Sequence, residues 1–285
     1  MYLSLSTASL VPYPLRTAFR LAAETGYDGV ELVCSPELVL RGYGYAASLA
    51  REYLPILSVH QSLGHARTLG MARQKVAATI DLALALECPR VVIHGPEAYH
   101  WSAPKASCWL EALLAGRERI EGTEMRITIE NPGMYHAVDM HNVLAHLPVL
   151  IGFARRYDLD ITFDTCHAGT AGLDLVAACD LIGDRLTNVH LSDEISPLFD
   201  GGGHHLLRMF DALHQLPGDG DLALDGLVAH LAAKGYAGVM TAEVNAYALR
   251  AWSPSERRKR LQDTARFVRT AAGETPISTC SVAAT

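Results

Sequence analysis

Short runs of apolar, β-branched residues recur along the chain, and most are followed by a segment whose apolar residues fall at helical spacing. That alternation is the mark of βα units built on a parallel sheet. The runs predict strands from Tyr2 to Ser6, Gly29 to Val33, Ile56 to His60, Arg90 to His94, Met125 to Glu130, Asp160 to Asp164, Leu186 to His190 and Gly238 to Glu243. Eight such units are the number that closes an α/β chain into a (β/α)8 TIM barrel. A doubly wound open sheet with a dinucleotide site is the rival, but no Gly-x-Gly-x-x-Gly opens a helix after the first strand. Helical spacing predicts helices from Leu15 to Thr25, Arg67 to Leu86, Lys105 to Glu121, Val138 to Ala154, Leu173 to Cys179 and Leu222 to Lys234. A last helix from Ser253 to Thr270 opens on the capping sequence Ser253-Pro254-Ser255-Glu256 and is expected outside the barrel. One domain over residues 1–271 follows, with residues 272–285 a small, polar and disordered tail.

Composition narrows the class without changing the fold. The 285 residues suit one α/β barrel as well as two average domains, and 49% hydrophobic with 19% charged residues is ordinary for a globular protein with a sizeable core. No apolar run reaches the roughly 18 residues of a membrane span. The N-terminus reads as a first strand rather than a signal peptide, so a cytoplasmic protein is expected. Six scattered cysteines fit reduced thiols better than a disulfide framework. A net charge of -7 argues against general nucleic-acid affinity. The oligomeric state is left open, a homo-oligomer included.

The chemistry lies at the strand ends, because a parallel barrel gathers the C-terminal ends of its strands at one mouth. Strand three ends at His60, strand four at His94, strand five at Glu130, strand six at Asp164 with His167 just beyond, strand seven at His190 and strand eight at Glu243. Each follows an apolar run, where an ionisable side chain is costly to bury unless it is paired or bound to metal. Taken singly, Asp164 reads equally well as a helix N-cap and His167 as a surface histidine. Taken together, six strand ends facing one mouth point to a shared site for a divalent cation, which accepts carboxylate oxygen and neutral imidazole nitrogen. After strand seven comes a long glycine-bearing segment, residues 191–220, expected to be flexible and able to close over a ligand. Within it His214 precedes the Pro217-Gly218-Asp219-Gly220 turn and is a better ligand or substrate contact than His204 or His205. The aromatic segment Tyr99, His100, Trp101 and Trp109 either lines a pocket wall or packs on the rim.

With these residues in place the sequence resembles the xylose isomerase-like barrel superfamily, which holds sugar (phosphate) isomerases and epimerases and the endonuclease IV type of abasic-site nuclease. Gly26-Tyr27-Asp28-Gly29-Val30-Glu31-Leu32 is similar to the second strand of the isomerase branch. Asp164-Thr165-Cys166-His167-Ala168 and His190-Leu191-Ser192-Asp193 are similar to endonuclease IV. The resemblance runs nearly the whole chain to about Val244. Its epimerase branch implies one divalent metal (Mn, Zn, Co or Mg) on Glu130, Asp164, His190 and Glu243, with the two glutamates as acid/base pair and His167 touching a small sugar or polyol-like substrate. Its nuclease branch implies a cluster of two to three zinc ions that also uses His60, His94, His167, His214 and an aspartate two residues before His214. Here that place is taken by Ala212, with Asp211 one position off, and Asp193 is the other candidate replacement. The DNA-entering loop after strand two is replaced by Cys34-Ser35-Pro36-Glu37-Leu38, so the phosphoesterase is the second reading and nucleic acid is not expected as a partner. The arginine usual near the Pro-Gly loop of sugar epimerases is also missing, and a ligand-binding barrel without catalysis is a third reading.

Overall fold

The structure, a computed structural model, describes residues 1–64, 68–196 and 211–274. Eight parallel strands close into a barrel in sequence order: β1 (Tyr2–Ser6), β2 (Gly29–Val33), β3 (Ile56–His60), β4 (Arg90–His94), β5 (Arg126–Glu130), β6 (Asp160–Asp164), β7 (Leu186–Leu191) and β8 (Val239–Ala242). β8 pairs back onto β1 through Leu5↔Ala242, so no sheet edge is left open. The expected strands therefore stand within a residue of their observed ends, with Glu243 one position past β8 and still donating its N–H to Leu191 O (3.2 Å).

Period-two alternation divides each strand between two environments. Leu3 and Leu5 of β1, Val30 and Leu32 of β2, Ile127 and Ile129 of β5, and Ile161 and Phe163 of β6 join one continuous apolar core. Of the alternate positions, many are polar and face the lumen. Thr128 meets Thr162 across β5 and β6 at 2.5 Å, and Thr241 donates to Asn188 at 3.1 Å. Glu31 on β2 reaches His190 on β7, and these two strands are not neighbours, so both side chains must point into the barrel. Directly above this layer stand the ionisable residues of the mouth.

Helices α1 (Leu15–Thr25), α2 (Pro36–Arg41), α3 (Tyr43–Glu52), α4 (Leu69–Ala85), α5 (Pro104–Ile120), α6 (Leu147–Arg156), α7 (Thr165–Thr170), α8 (Leu175–Ile182), α9 (Leu224–Ala233) and α10 (Pro254–Ala271) are described. Three differ from expectation. The helix expected from Val138 to Ala154 is instead a 3-10 turn at Ala137–His141 followed by α6. Pro148 sits in the first turn of α6, where its missing N–H costs nothing; inside a longer helix its ring would clash with the carbonyl four residues back. The stretch between β2 and β3, to which the sequence pattern assigned no helix, folds as α2 and α3, with Pro36 again in the first turn. Asp164 leads into the short helix α7, not merely a turn. As expected, Ser253 caps α10, accepting from Glu256 N, and α10 lies outside the barrel, where Tyr27 Oη bonds Leu261 O at 3.3 Å. Among the described residues no helix is long and apolar enough to cross a membrane. His204, His205 and residues 275–285 lie outside the described residues.

Candidate metal centre and substrate cavity

The ring at the mouth is assembled one strand at a time. Glu130, Asp164, His190 and Glu243 each offer a ligand atom, and these four atoms lie within 4.8 Å of one another. His190 Nδ1 stands 2.7 Å from Glu243 Oε2, 3.4 Å from Glu130 Oε1 and 3.8 Å from Asp164 Oδ2. Asp164 serves two purposes at once. Its Oδ1 accepts from His167 N (2.8 Å) as the N-cap of α7, which leaves Oδ2 turned to the ring. Asn131 fixes this arrangement by taking Asp164 N on Oδ1 (2.7 Å) and donating to Asp164 O (3.1 Å). The N-cap half of the choice for Asp164 is thus present, and the second oxygen of the same side chain stays available to the ring.

Burial makes this polar cluster expensive, and its electrostatics show how the cost is offset. Burial alone would raise the Glu130 carboxyl, but the fields of His94 and His190 outweigh it and hold it well below the usual carboxylate range. Glu243 is likewise depressed against burial, chiefly by His190. Burial opposes charge on the histidines, yet the surrounding carboxylates win: His190 is raised well above its ordinary value by Glu31, Glu243 and Glu130, and His167 is raised by Asp164 and Glu130. Among the ring's own four residues Asp164 Oδ2 and His190 Nδ1 are buried without a hydrogen-bond partner; the close Nδ1 approach to Glu243 lacks hydrogen-bonding geometry. Orphaned buried polar atoms are rare. Here both aim at one point among three carboxylates, so the residues fit a divalent cation of the oxygen- and nitrogen-binding kind.

A second group adjoins the first. His60 Nε2 lies 3.3 Å and His94 Nε2 3.0 Å from Glu130 Oε2, and the two imidazole nitrogens are 3.2 Å apart. His60 Nδ1 contacts Gln61 O at 2.6 Å, a donation that leaves Nε2 for the site. His167 Nδ1 meets Asn131 O at 2.9 Å in the same way, and its ring stands edge-on to Tyr135 and to His214. His214 is held by Ser192 Oγ (3.0 Å) on its Nδ1 and by Cys166 Sγ (3.3 Å) on its backbone N–H. Cys166, Asp164 and His214 form a further group of possible ligands. Asp211 is exposed and stands in none of these groups. Asp193 is fully buried but committed elsewhere, accepting the N–H groups of Glu194, Gly218 and Leu222.

Above the ring opens a cavity of about 470 Å³ lined by His60, His94, Glu130, His167, His214 and Glu243, together with Trp109 and Tyr135. Asp164 and His190 lie beneath it. Of the aromatic segment, Trp109 lines the cavity and donates Nε1–H to His94 O (3.0 Å), whereas Trp101 stacks on Phe153 in the outer layer and Tyr99 is exposed. Glu31 was not singled out from the sequence. The signal was available: a carboxylate between Val30 and Leu32 in a buried strand must find a lumen partner.

A sequence model of the xylose isomerase-like TIM barrel matches residues 19–271. The chain belongs to this family. An uncharacterized protein of Mycobacterium tuberculosis is 29% identical over 284 residues, covering 93% of this chain and 96% of that one. A fructoselysine 3-epimerase of Shigella flexneri is 24% identical over 252 residues, 81% of this chain and 85% of the epimerase. The solved D-psicose 3-epimerase of Clostridium cellulolyticum, in structures with D-tagatose, superposes with a TM-score of 0.71 at 13% identity, over 96% of this chain and all of that one. The last comparison speaks to the fold.

Proposed function

We propose that this chain is a divalent-metal-dependent isomerase or epimerase of a small sugar or polyol-like substrate. Glu130, Asp164, His190 and Glu243 would hold the cation (Mn, Zn, Co or Mg). When bound, it supplies Lewis-acid stabilisation of the oxyanion that develops as a proton leaves the carbon beside a carbonyl. The observation that carries the reading is the glutamate pair: Glu130 and Glu243 approach His190 Nδ1 from two residues at the floor of the cavity, and both are depressed in pKa. Each is therefore ionised at neutral pH and able to take the proton from substrate; return of a proton to the other face needs the partner protonated, which it becomes by taking one from solvent in the open cavity. His167, with Nδ1 committed to the Asn131 carbonyl, keeps Nε2 for a substrate oxygen. The family relationship to a fructoselysine 3-epimerase supports the same chemistry.

Solvent-deuterium incorporation next to the carbonyl of D-tagatose, D-psicose or fructoselysine, followed by NMR, tests this reading. Metal-loaded protein is expected to exchange that proton, and Glu130→Gln and Glu243→Gln are each expected to slow it about 10²- to 10⁴-fold. Full exchange in both variants would remove the glutamates from the acid/base role.

One observation favours a second reading. His60, His94 and Glu130 bring three ligand atoms together beside the first group, as a phosphoester hydrolase with two to three zinc ions requires. Metal content of the purified protein separates the two, one equivalent per chain for the epimerase and two or three for the hydrolase.

A further inference from the structure

Beneath the ring the structure places one more carboxylate, belonging to none of the roles above. Glu31 is fully buried in the middle of β2 and faces across the lumen to β7. Its Oε2 lies 3.1 Å from His190 Nε2, and the same oxygen accepts from Ser58 Oγ at 2.8 Å and Asn188 Nδ2 at 3.3 Å. Three donors on one oxygen fix the carboxylate in a single orientation. The opposite nitrogen of that imidazole, Nδ1, is the one turned to Glu130, Asp164 and Glu243.

We propose that Glu31 is a positioning residue for the cation site: it accepts the hydrogen bond of His190 Nε2–H and thereby leaves Nδ1 as the nitrogen that faces the ring and would give its lone pair to a cation when that cation displaces its proton. An imidazole binds metal only through a nitrogen that carries no proton, and which nitrogen is bare is decided by the hydrogen bond the other one makes. Rotation of the His190 ring would carry Nδ1 away from Asp164 and Glu243; the contact with Glu31 opposes that rotation. Ser58 and Asn188, themselves part of the polar lumen layer, hold Glu31 in turn. The inference rests on the metal-dependent reading and deepens it, since it assigns how the least exposed ligand is kept ready for the cation.

Titration of the metal-free chain with Co²⁺, following both affinity and the visible absorption of the bound ion, tests the assignment. Glu31→Gln keeps the size of the side chain and an acceptor for Ser58 but replaces a charge-assisted acceptor with a neutral amide. It is expected to weaken Co²⁺ binding roughly 10- to 100-fold and to change the Co²⁺ spectrum, while the circular dichroism of the metal-free chain stays that of the folded wild type. Wild-type affinity together with a wild-type spectrum in this variant overturns the role of Glu31 alone. A wild-type chain that binds no Co²⁺, Mn²⁺ or Zn²⁺ overturns the metal-dependent reading as well. If Glu31→Gln does not fold, Ser58→Ala removes one anchor and leaves the carboxylate; a smaller loss of affinity is expected, and an unchanged affinity there overturns the proposal.

Discussion

His60 shows most plainly how a single side chain in this barrel couples charge to stability. It is buried, which opposes its charged form, yet its hydrogen bond to Glu130 and the charges of Glu31 and Glu243 raise its pKa from 6.5 to about 9. A pKa raised by folding means that the proton is held more tightly in the native chain, so the stabilisation is complete below pH 6.5 and is lost as pH rises through about 9. Metal-free protein is therefore expected to lose melting temperature across that interval, and His60→Gln to flatten the slope. A level profile for the metal-free wild type would contradict the assignment. The mouth residues themselves were readable in the sequence because each is an ionisable group ending an apolar run. Glu31, mid-strand between Val30 and Leu32, was legible only as a buried carboxylate in need of a partner; which partner it takes depends on the side-chain contact across the lumen to His190.

At the level of elements, the segment that follows β7 illustrates how a loop is held to a barrel rim. Asp193 pairs with Gln215 as an isolated antiparallel bridge and accepts three backbone N–H groups, which fixes the approach of His214 to the cavity. Gly220 lies so close to this knot that an added Cβ would stand 2.4 Å from Asp193 Oδ1 and 2.6 Å from Glu194 O. Gly220→Ala must therefore displace the turn, at a cost of about 1–3 kcal/mol, measurable as a lower denaturation midpoint; an unchanged midpoint would show that the knot yields freely. Elements with a buried stripe or a period of two were predictable from pattern, as the eight strands and α1 were. Helix α2 escaped because Val39 and Leu40 are exposed and only Leu38 is buried, so no apolar face marks it. The Val138 to Ala154 helix was overextended because apolar spacing continued across Pro148, and the backbone could not follow.

For the molecule as a whole, the ring concentrates buried carboxylates and histidines in one place, so the metal-free chain carries charge that a bound cation would neutralise. A ligand bound only by the folded state adds about 2.7 kcal/mol at one hundred times its dissociation constant. At roughly 2–4 °C per kcal/mol for a chain of this order of size, chelator-treated protein is expected to melt several degrees lower, and addition of Mn²⁺ or Co²⁺ to restore it. Identical melting curves with and without cation would argue that the ring stays empty in solution. The two faces of the strands carry a longer consequence. Outward residues such as Leu5, Leu32 and Phe163 hold the barrel to its helices, while inward ones such as Ser58, Asn188 and Thr241 support the ring. Selection for folding and selection for chemistry therefore act on alternate letters of the same short strands.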